Sequence, residues 1–266
     1  MNAAFRGYDF LRVRAYAGRP GNPNRIVTRE IGGASLMRFP AVGYFNQAYD
    51  VSGVSWADWP EIQAFFAEAV DEFKVLVSPQ AAGGDGEAGF WEENGRPVAR
   101  LARMFRRLGP NIDAAGAEGV RIEPLDPREA TAFFELYLEG FGARLAGWPA
   151  AVANMLQLPG RPGMHFLAAK KGGELAGLGM LHVADGVAHL CAGVVSAKYR
   201  QGGLQAALIA ERLRLGAALG CDLAVAWTDA GSTSQRNLEA RGFKVGYLDP
   251  VFRVSVRRSV VSAFAS

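Results

Sequence analysis

The chain has 266 residues, half of them apolar, with a formal net charge of +3 and a pI of about 9.0. This length suggests one large domain or two smaller ones, with enough apolar residues to bury a full core. A charge excess of this size is too weak to indicate nucleic-acid binding. The N-terminal segment lacks a continuous apolar stretch, and no apolar run reaches membrane-spanning length. We therefore expect a soluble, cytoplasmic protein without nucleic-acid or membrane partners, either a monomer or a homodimer.

The cysteines and histidines do not form a metal-binding pattern. Cys191 and Cys221 lie in or beside predicted buried strands, which favours small apolar core residues in a reducing compartment. His165, His182 and His189 have no ligand spacing. The sequence therefore predicts no metal site.

The first half of the chain predicts a mixed set of helices and strands. Residues 5–16 favour a short helix, and residues 34–40 and 41–51 favour two strands parted near a proline. Residues 59–73 have the apolar spacing of an amphipathic helix and precede a short strand at 74–77. The remaining predictions are a glycine-rich loop at 81–86, a short helix at 89–94, an undecided strand or helix at 97–108 and a linker at 111–118.

The second half predicts an antiparallel sheet that leads into a parallel crossover. A strand at 120–124 precedes a helix that Asp126 caps and Pro127 begins. The order that follows is a helix at 148–156, strands at 165–169, 174–183 and 187–195, a helix from residue 203, a strand at 223–227, a helix at 232–240 and a closing strand region up to 256. This order predicts an α/β (α+β) fold with a mixed, mostly antiparallel sheet flanked by helices.

The most informative stretch spans residues 190–219. It contains an apolar strand, a basic turn with Gly202 and Gly203, and a helix without proline. The first N–H groups of a helix have no internal partner, and the helix dipole is positive there. Glycines let the backbone approach a ligand closely. This stretch therefore predicts a site for a phosphate-bearing ligand.

Residues 120–256 resemble the GCN5-related N-acetyltransferase (GNAT) superfamily. Its signature, Q/R-x-x-G-x-G/A, is matched here by Arg200 and Gly203, while Gln205 stands at the position where glycine or alanine is usual. The later S-x-x-N-x-x-x-x-G-F pattern, from Ser234 to Phe243, is similar to the last helix of the family and its exit. The first half has a comparable element order without such a turn. The chain is similar to larger members with a degenerate N-terminal copy, here 1–115, before an acyl-CoA-binding copy, here 116–266.

The resemblance implies acetyl-CoA as cosubstrate and no metal. Backbone amides of the turn would hold the pyrophosphate, and the pantetheine arm would lie between the splayed ends of two parallel strands. The residues expected to bind the cofactor are Val194, Val195, Arg200, Gln201, Gly202, Gly203, Leu204, Gln205, Ala206 and Asn237. The first half is expected not to bind coenzyme A.

The catalytic groups are less defined. The family commonly donates a proton from a tyrosine on the last helix, and this position is Leu238 here. Ser234 and Tyr247 are nearby alternatives. Glu139, one helical turn after Glu135, is a candidate base, although a solvated helix face is the simpler interpretation. Water can also accept the proton.

Two functions follow from these features. The first is an N-acetyltransferase that acts on the amine of a small-molecule or aminoacyl acceptor. The second is a non-catalytic acyl-CoA-binding or regulatory protein, which the absent tyrosine favours. His182 and His189 are expected to be buried, hydrogen-bonded structural residues. A dinucleotide-binding fold is disfavoured, because the glycine turn follows antiparallel hairpins and lacks the G-x-G-x-x-G spacing.

Overall fold

The structure, a computed structural model, divides the chain into two compact units. It describes residues 2–51, 54–55, 57–77, 94–109, 112, 116–142 and 148–256. The first unit contains residues 1–19 and 102–247, and the second contains residues 20–101 and 248–266. These ranges group residues that pack together. The predicted division into copies at 1–115 and 116–266 instead rests on similarity between the two halves, and it stays a prediction.

The helices and strands follow one another along both units. The helices are α1 (Asn2–Ala17), α2 (Trp59–Ala67), α3 (Ala130–Gly140), α4 (Trp148–Met155), α5 (Leu204–Ala218) and α6 (Thr233–Glu239). The strands are β1 (Val27–Ile31), β2 (Ala34–Arg38), β3 (Gln47–Tyr49), β4 (Glu72–Leu76), β5 (Arg96–Arg107), β6 (Val120–Pro124), β7 (Met164–Lys171), β8 (Glu174–Ala184), β9 (Val187–Val195), β10 (Leu223–Asp229) and β11 (Lys244–Ser255). No described helix is both long and apolar enough to cross a membrane.

The sheet of the first unit has the order β5-β10-β9-β8-β7-β6. Strands β6 to β9 pair antiparallel, whereas β10 pairs parallel with β9. Helix α5 is the crossover between these two parallel strands and packs on β8 and β9. At Gly216 an added Cβ would lie 2.7 Å from the Ala188 Cβ, so this glycine permits the close approach of helix and strand.

The second unit repeats this arrangement on a smaller scale. Its order is β1-β2-β3-β4-β11, and β3 pairs parallel with β4 through the crossover helix α2, while the other pairs are antiparallel. Its core includes Phe66 and Phe73, whose rings stack with centroids 4.0 Å apart. Each unit therefore has antiparallel strands followed by a parallel crossover, which confirms the predicted mixed fold and is consistent with tandem halves.

Several boundaries differ from the sequence predictions. The helix predicted at 59–73 ends at Ala67, and Phe73 lies on β4. Both elements bury aromatic residues in one core, so hydrophobic spacing did not separate them. The undecided segment at 97–108 is strand β5. The loop predicted at 81–86, most of the segment at 89–94 and half of the linker at 111–118 lie outside the described residues.

The start of the second half follows the local capping signal. The Asp126 carboxylate accepts a hydrogen bond from the Arg128 N–H at 2.9 Å, as predicted for a helix cap. A 3₁₀ turn at Pro127–Glu129 then leads into α3. Helix α3 buries Phe133 and Phe134, whose rings lie edge-on to Phe166 of β7. These contacts fix α3 on one face of the sheet.

Candidate functional site

Strands β9 and β10 separate after a short parallel pairing. The pairing joins Val187 with Leu223 and ends at His189 with Val225. Strand β9 continues to Val195 and β10 continues to Asp229 without further pairing between these described residues. We call residues 190–195 and 226–229 the strand fork. Its edges present backbone N–H and C=O groups that the two strands do not satisfy for each other.

A β-bulge lies where the fork begins. Met180 of β8 is opposite Ala192, whereas Leu181 is opposite Leu190, so Cys191 is an extra residue on β9. Such an insertion bends the strand and locally ends regular pairing. The bulge follows the last residue that pairs with β10, so it accounts physically for the divergence of β9.

The glycine turn lies at the open end of the fork. A 3₁₀ turn at Ala197–Tyr199 follows β9, and Gln201 and Gly203 have left-handed backbone angles, with φ of 68° and 73°. Gly203 is the N-cap of α5, and no side chain among the described residues caps the first turn of the helix. The N–H groups of residues 204–206 therefore lack intrahelical partners and are free to meet an anion.

Charged side chains flank this turn. Glu174 accepts hydrogen bonds from Lys198 and Tyr199, which hold the turn against the start of β8. These bonds lower the pKa of Glu174 and raise the pKa of Lys198. Arg200 is exposed and has no carboxylate partner among the described residues, and its Nε lies 3.5 Å from the Val195 carbonyl oxygen. Arg200 is thus the free cation at the turn within the described part of the chain.

Helix α5 contacts the fork through two polar side chains. A Cβ added at Gly193 would lie 2.8 Å from Nη2 of Arg212 and 3.0 Å from Nε2 of Gln205. The Gln205 side chain therefore lies over β9, so the departure from the family motif fills space that Gly193 leaves. Only the backbone N–H of Gln205 remains for a ligand at the turn.

The opposite face of β9 is covered by α1, which belongs to the first unit. The His189 ring lies edge-on to Phe5 at 4.9 Å and to Tyr8 at 5.3 Å. Neither ring nitrogen of His189 has a hydrogen-bond partner among the described residues, which corrects the expectation of a hydrogen-bonded histidine. Burial, with smaller effects of nearby cations, holds the pKa of His189 well below its ordinary value. His189 is therefore a neutral core residue at pH 7.

The candidate catalytic residues lie on the surrounding helices. Leu238 is only 6% exposed, so the usual tyrosine position is part of the core. Helix α6 is capped by Ser232. On this helix Ser234 is exposed and Asn237 is half-buried. Glu139 and Glu135 are both exposed on α3.

Two of the predicted features converge at the fork. Gly140, next to Glu139, packs on Val194, because a Cβ added there would lie 2.3 Å from Val194 Cγ1. This contact brings the end of α3 to the fork, while the Glu139 side chain stays in solvent. The turn residues follow the same end of this strand, directly after Val195. The sequence predictions did not identify Arg212 or the residues of α1 as part of this region. Their contacts with β9 involve residues that are distant in the sequence.

Comparison with solved structures identifies the fold. A GNAT protein from Sphaerobacter thermophilus is similar, with a TM-score of 0.64, 18% identity and coverage of 85% of this chain and 81% of that one. A GNAT protein from Kribbella flavida has a TM-score of 0.64, 16% identity and coverage of 94% and 97%. A tandem GNAT protein from the clavulanic acid biosynthesis pathway has a TM-score of 0.64, 15% identity and coverage of 86% and 80%. The fold is that of the GNAT acetyltransferases.

The sequence itself carries the family signal over part of its length. The profile of the acetyltransferase (GNAT) family matches residues 130–243. The matched residues include the fork, the turn and α6. A comparison with curated proteins finds no match. The described residues contain no cluster of three or more His, Cys, Asp or Glu side chains that could hold a metal ion.

Proposed function

We propose that the protein is an N-acetyltransferase that transfers the acetyl group of acetyl-CoA to the amine of a small-molecule or aminoacyl acceptor. The observation that carries this proposal is the strand fork, which opens directly onto the uncapped first turn of α5. The fork supplies unpaired backbone for an extended amide chain, and the turn supplies N–H donors for phosphates. Coenzyme A combines both chemical features in one molecule.

The residues of this site fit the two ends of such a cosubstrate. The pyrophosphate would accept hydrogen bonds from backbone amides of residues 201–206, with Arg200 as a nearby cation. Val194 and Val195 would pair with the pantetheine amides along the open edge of β9. The half-buried Asn237 would contact the arm from α6.

Transfer to an amine requires a neutral acceptor nitrogen and a stabilised leaving group. Glu139 at the end of α3, or water, would take the proton from the acceptor. Ser234 is exposed and has no hydrogen-bond partner among the described residues, so it is a candidate to contact a ligand from α6. Leu238 supplies no proton, so the leaving thiolate must be stabilised by other means.

The second unit is not proposed to bind coenzyme A. The parallel pairing of β3 with β4 joins Gln47 with Lys74 and Ala48 with Val75, and β3 ends one residue later at Tyr49. The described residues of this unit therefore lack a fork of comparable length. We propose that the acyl-CoA site belongs to the copy at 116–266.

Two measurements test the proposed function. Thermal unfolding is followed with acetyl-CoA, NAD or ATP, and ligand binding to the folded state alone raises the midpoint by mass action. We expect a shift with acetyl-CoA and none of similar size with the other two nucleotides. Release of free thiol from acetyl-CoA is then measured over a panel of small amines and aminoacyl compounds. Absence of any shift with coenzyme A esters contradicts the proposal.

The buried Leu238 favours one alternative, a non-catalytic acyl-CoA-binding or regulatory protein. That protein would show the thermal shift with acetyl-CoA but no amine-dependent thiol release. The two measurements together therefore separate an enzyme from a binding protein, and both from a nucleotide-binding protein.

A further inference from the structure

Arg212 of α5 is a buried cation. The residue is 2% exposed, and it forms no ion pair with a carboxylate among the described residues. Its guanidinium donates hydrogen bonds to the Ala192 carbonyl oxygen at 2.6 Å and to the Leu208 carbonyl oxygen at 3.0 Å. A buried charge that is not neutralised is costly, so its presence calls for a physical explanation.

The sheet leaves space for this guanidinium. A Cβ added at Gly179 would lie 3.1 Å from Cδ and Nε of Arg212, and one added at Gly193 would lie 2.8 Å from Nη2. The absence of side chains at these two positions, on neighbouring strands, creates the slot that Arg212 fills. The carbonyl that it contacts belongs to Ala192, which lies in the fork directly after the bulge.

A second arginine approaches the same strand from the opposite face, but its charge is compensated. Arg12 of α1 forms an ion pair with Asp9, and both side chains are buried. Burial raises the pKa of the Cys191 thiol, while Arg12 and Arg212 act to lower it. Asp9, the partner of Arg12, acts in the opposite direction. A sulfur atom at this point of the fork therefore lies in the field of Arg212, for which no described residue provides a carboxylate partner.

The orientation of the site would bring a bound thiol toward Arg212. The turn that would hold the phosphates lies at the open end of the fork, so the thiol end of a bound coenzyme A would extend inward along β9. Val195 and Ala192 are three residues apart, a distance of roughly 10 Å along a strand. The inner end of the fork is therefore the place where negative charge would develop on sulfur.

We propose that Arg212 stabilises the thiolate that leaves during acyl transfer, in place of the proton donor that is absent at Leu238. This inference rests on the proposed acyl transfer. In that reaction the acceptor nitrogen forms a bond to the acyl carbon and gives its proton to Glu139 or water. The carbon–sulfur bond breaks with its electron pair on sulfur. The resulting charge is balanced electrostatically by the guanidinium without transfer of a proton from the protein.

The surroundings of Arg212 allow a clean measurement. Burial lowers the pKa of Arg212 to about 10, so it stays charged at neutral and mildly alkaline pH. The titratable groups near it on β9 are His189, whose pKa is well below normal, and Cys191, whose pKa is raised. Arg12, which is paired with Asp9, approaches from α1 on the opposite face. His189 and Cys191 do not change charge between pH 7 and about 9, so a change in that interval reports on the ligand.

The test compares coenzyme A with desulfo-coenzyme A, which lacks the thiol. Dissociation constants are measured by calorimetry between pH 7 and 9 for the wild type, Arg212→Gln and Arg212→Lys. Arg214→Gln is the matched control, because Arg214 lies on the same helix but is exposed. Phosphate and backbone contacts are common to both ligands, so the ratio of their dissociation constants isolates the sulfur.

In the wild type we expect the affinity for coenzyme A, relative to that for desulfo-coenzyme A, to rise by roughly tenfold between pH 7 and about 9. The reason is that a nearby buried cation lowers the pKa of a thiol that ordinarily titrates near about 8.5. Arg212→Gln keeps a hydrogen-bond donor but loses the charge, so the gain should disappear. Arg212→Lys keeps the charge and should retain most of it. Arg214→Gln should behave as the wild type.

A purely structural Arg212 would give a different pattern. Arg212→Gln would then weaken both ligands equally, and the ratio would not change with pH, which overturns the inference while coenzyme A binding persists. Failure of the wild type to bind either ligand instead overturns the proposed function. If the Arg212 variants do not fold, the pH dependence of the wild-type ratio decides, and a flat ratio overturns the inference.

Discussion

Substitution of Gly193 by alanine tests how the fork accommodates Arg212. The added methyl group would lie 2.8 Å from Nη2 of Arg212 and 3.0 Å from Nε2 of Gln205. Gln205 is half-buried and can move its amide outward, but the Arg212 guanidinium is held between two carbonyl groups. The methyl group must therefore displace the guanidinium or the strand.

The magnitude follows from the contacts. Overpacking a filled site costs about 1–3 kcal/mol, and loss of a hydrogen bond from a charged group costs about 1.5–3 kcal/mol. Alanine also reduces the conformational freedom of the unfolded chain, which stabilises the folded state by about 0.4–1 kcal/mol. We expect a net loss of about 3 kcal/mol in the free energy of unfolding of the first unit, which corresponds to a fall in Tm of about 6–12 °C.

The assay is thermal unfolding followed by circular dichroism, with Gly7→Ala as the control. Gly7 is an exposed position inside α1 with open space around it, so alanine there should stabilise the helix by about 0.5–1 kcal/mol. In an Arg212→Ala background, the Gly193→Ala change should cost much less, because the two sites are coupled. An unchanged Tm for Gly193→Ala, or an equal loss in both backgrounds, would refute this account of the slot.

Two further predictions concern the turn and the core. Arg200→Glu should weaken coenzyme A binding by about tenfold or more through loss of a cation beside the phosphates, whereas Arg214→Glu should have little effect; equal affinities by calorimetry contradict the phosphate assignment. His189→Phe should make unfolding less sensitive to acid. The unfolded chain binds a proton near pH 6.5 that the buried ring excludes, so this contribution to stability is complete above that pH. The contribution of His189 to the free energy of unfolding decreases by about 1.4 kcal/mol per pH unit as the pH falls toward the folded pKa. Identical pH profiles of Tm for the wild type and the variant contradict this prediction.

Local signals were sufficient where short-range physics determines the structure. Strand β9 has the predicted bounds, because its apolar run ends at Val195. The turn that follows contains the predicted glycine in a left-handed conformation, at Gly203. The cap at Asp126 is likewise a local interaction, since its partner is the N–H of Arg128. These elements carry the family motif, so the fold and its class were accessible from the sequence.

The interior of the site was not accessible in the same way. Arg212 occurs among charged residues on a helix, and nothing in its neighbours along the chain indicates burial. Its environment depends on Gly179 and Gly193, which lie on two other elements. Helix α1 and strand β9 are far apart in the sequence but pack together. The contacts of His189 with Phe5 and Tyr8 therefore could not be derived from periodicity.

The substitution of glycine or alanine by Gln205 in the family motif shows how such a departure is absorbed. From the sequence it weakens the case for a cofactor turn. In the structure its side chain lies over Gly193 and leaves the backbone of the turn unobstructed. The Gln205 side chain thus occupies space that is available because Gly193, on the facing strand, has no side chain.

The location of the cosubstrate is the central claim, and hydrogen–deuterium exchange tests it most directly. Exchange is measured by mass spectrometry with and without saturating acetyl-CoA. We predict slower exchange in peptides that cover 190–206, which hold the open edge of β9 and the uncapped first turn of α5, and no change in peptides from β1 to β4. Protection confined to other segments, or none at a concentration that raises the Tm, would contradict the account.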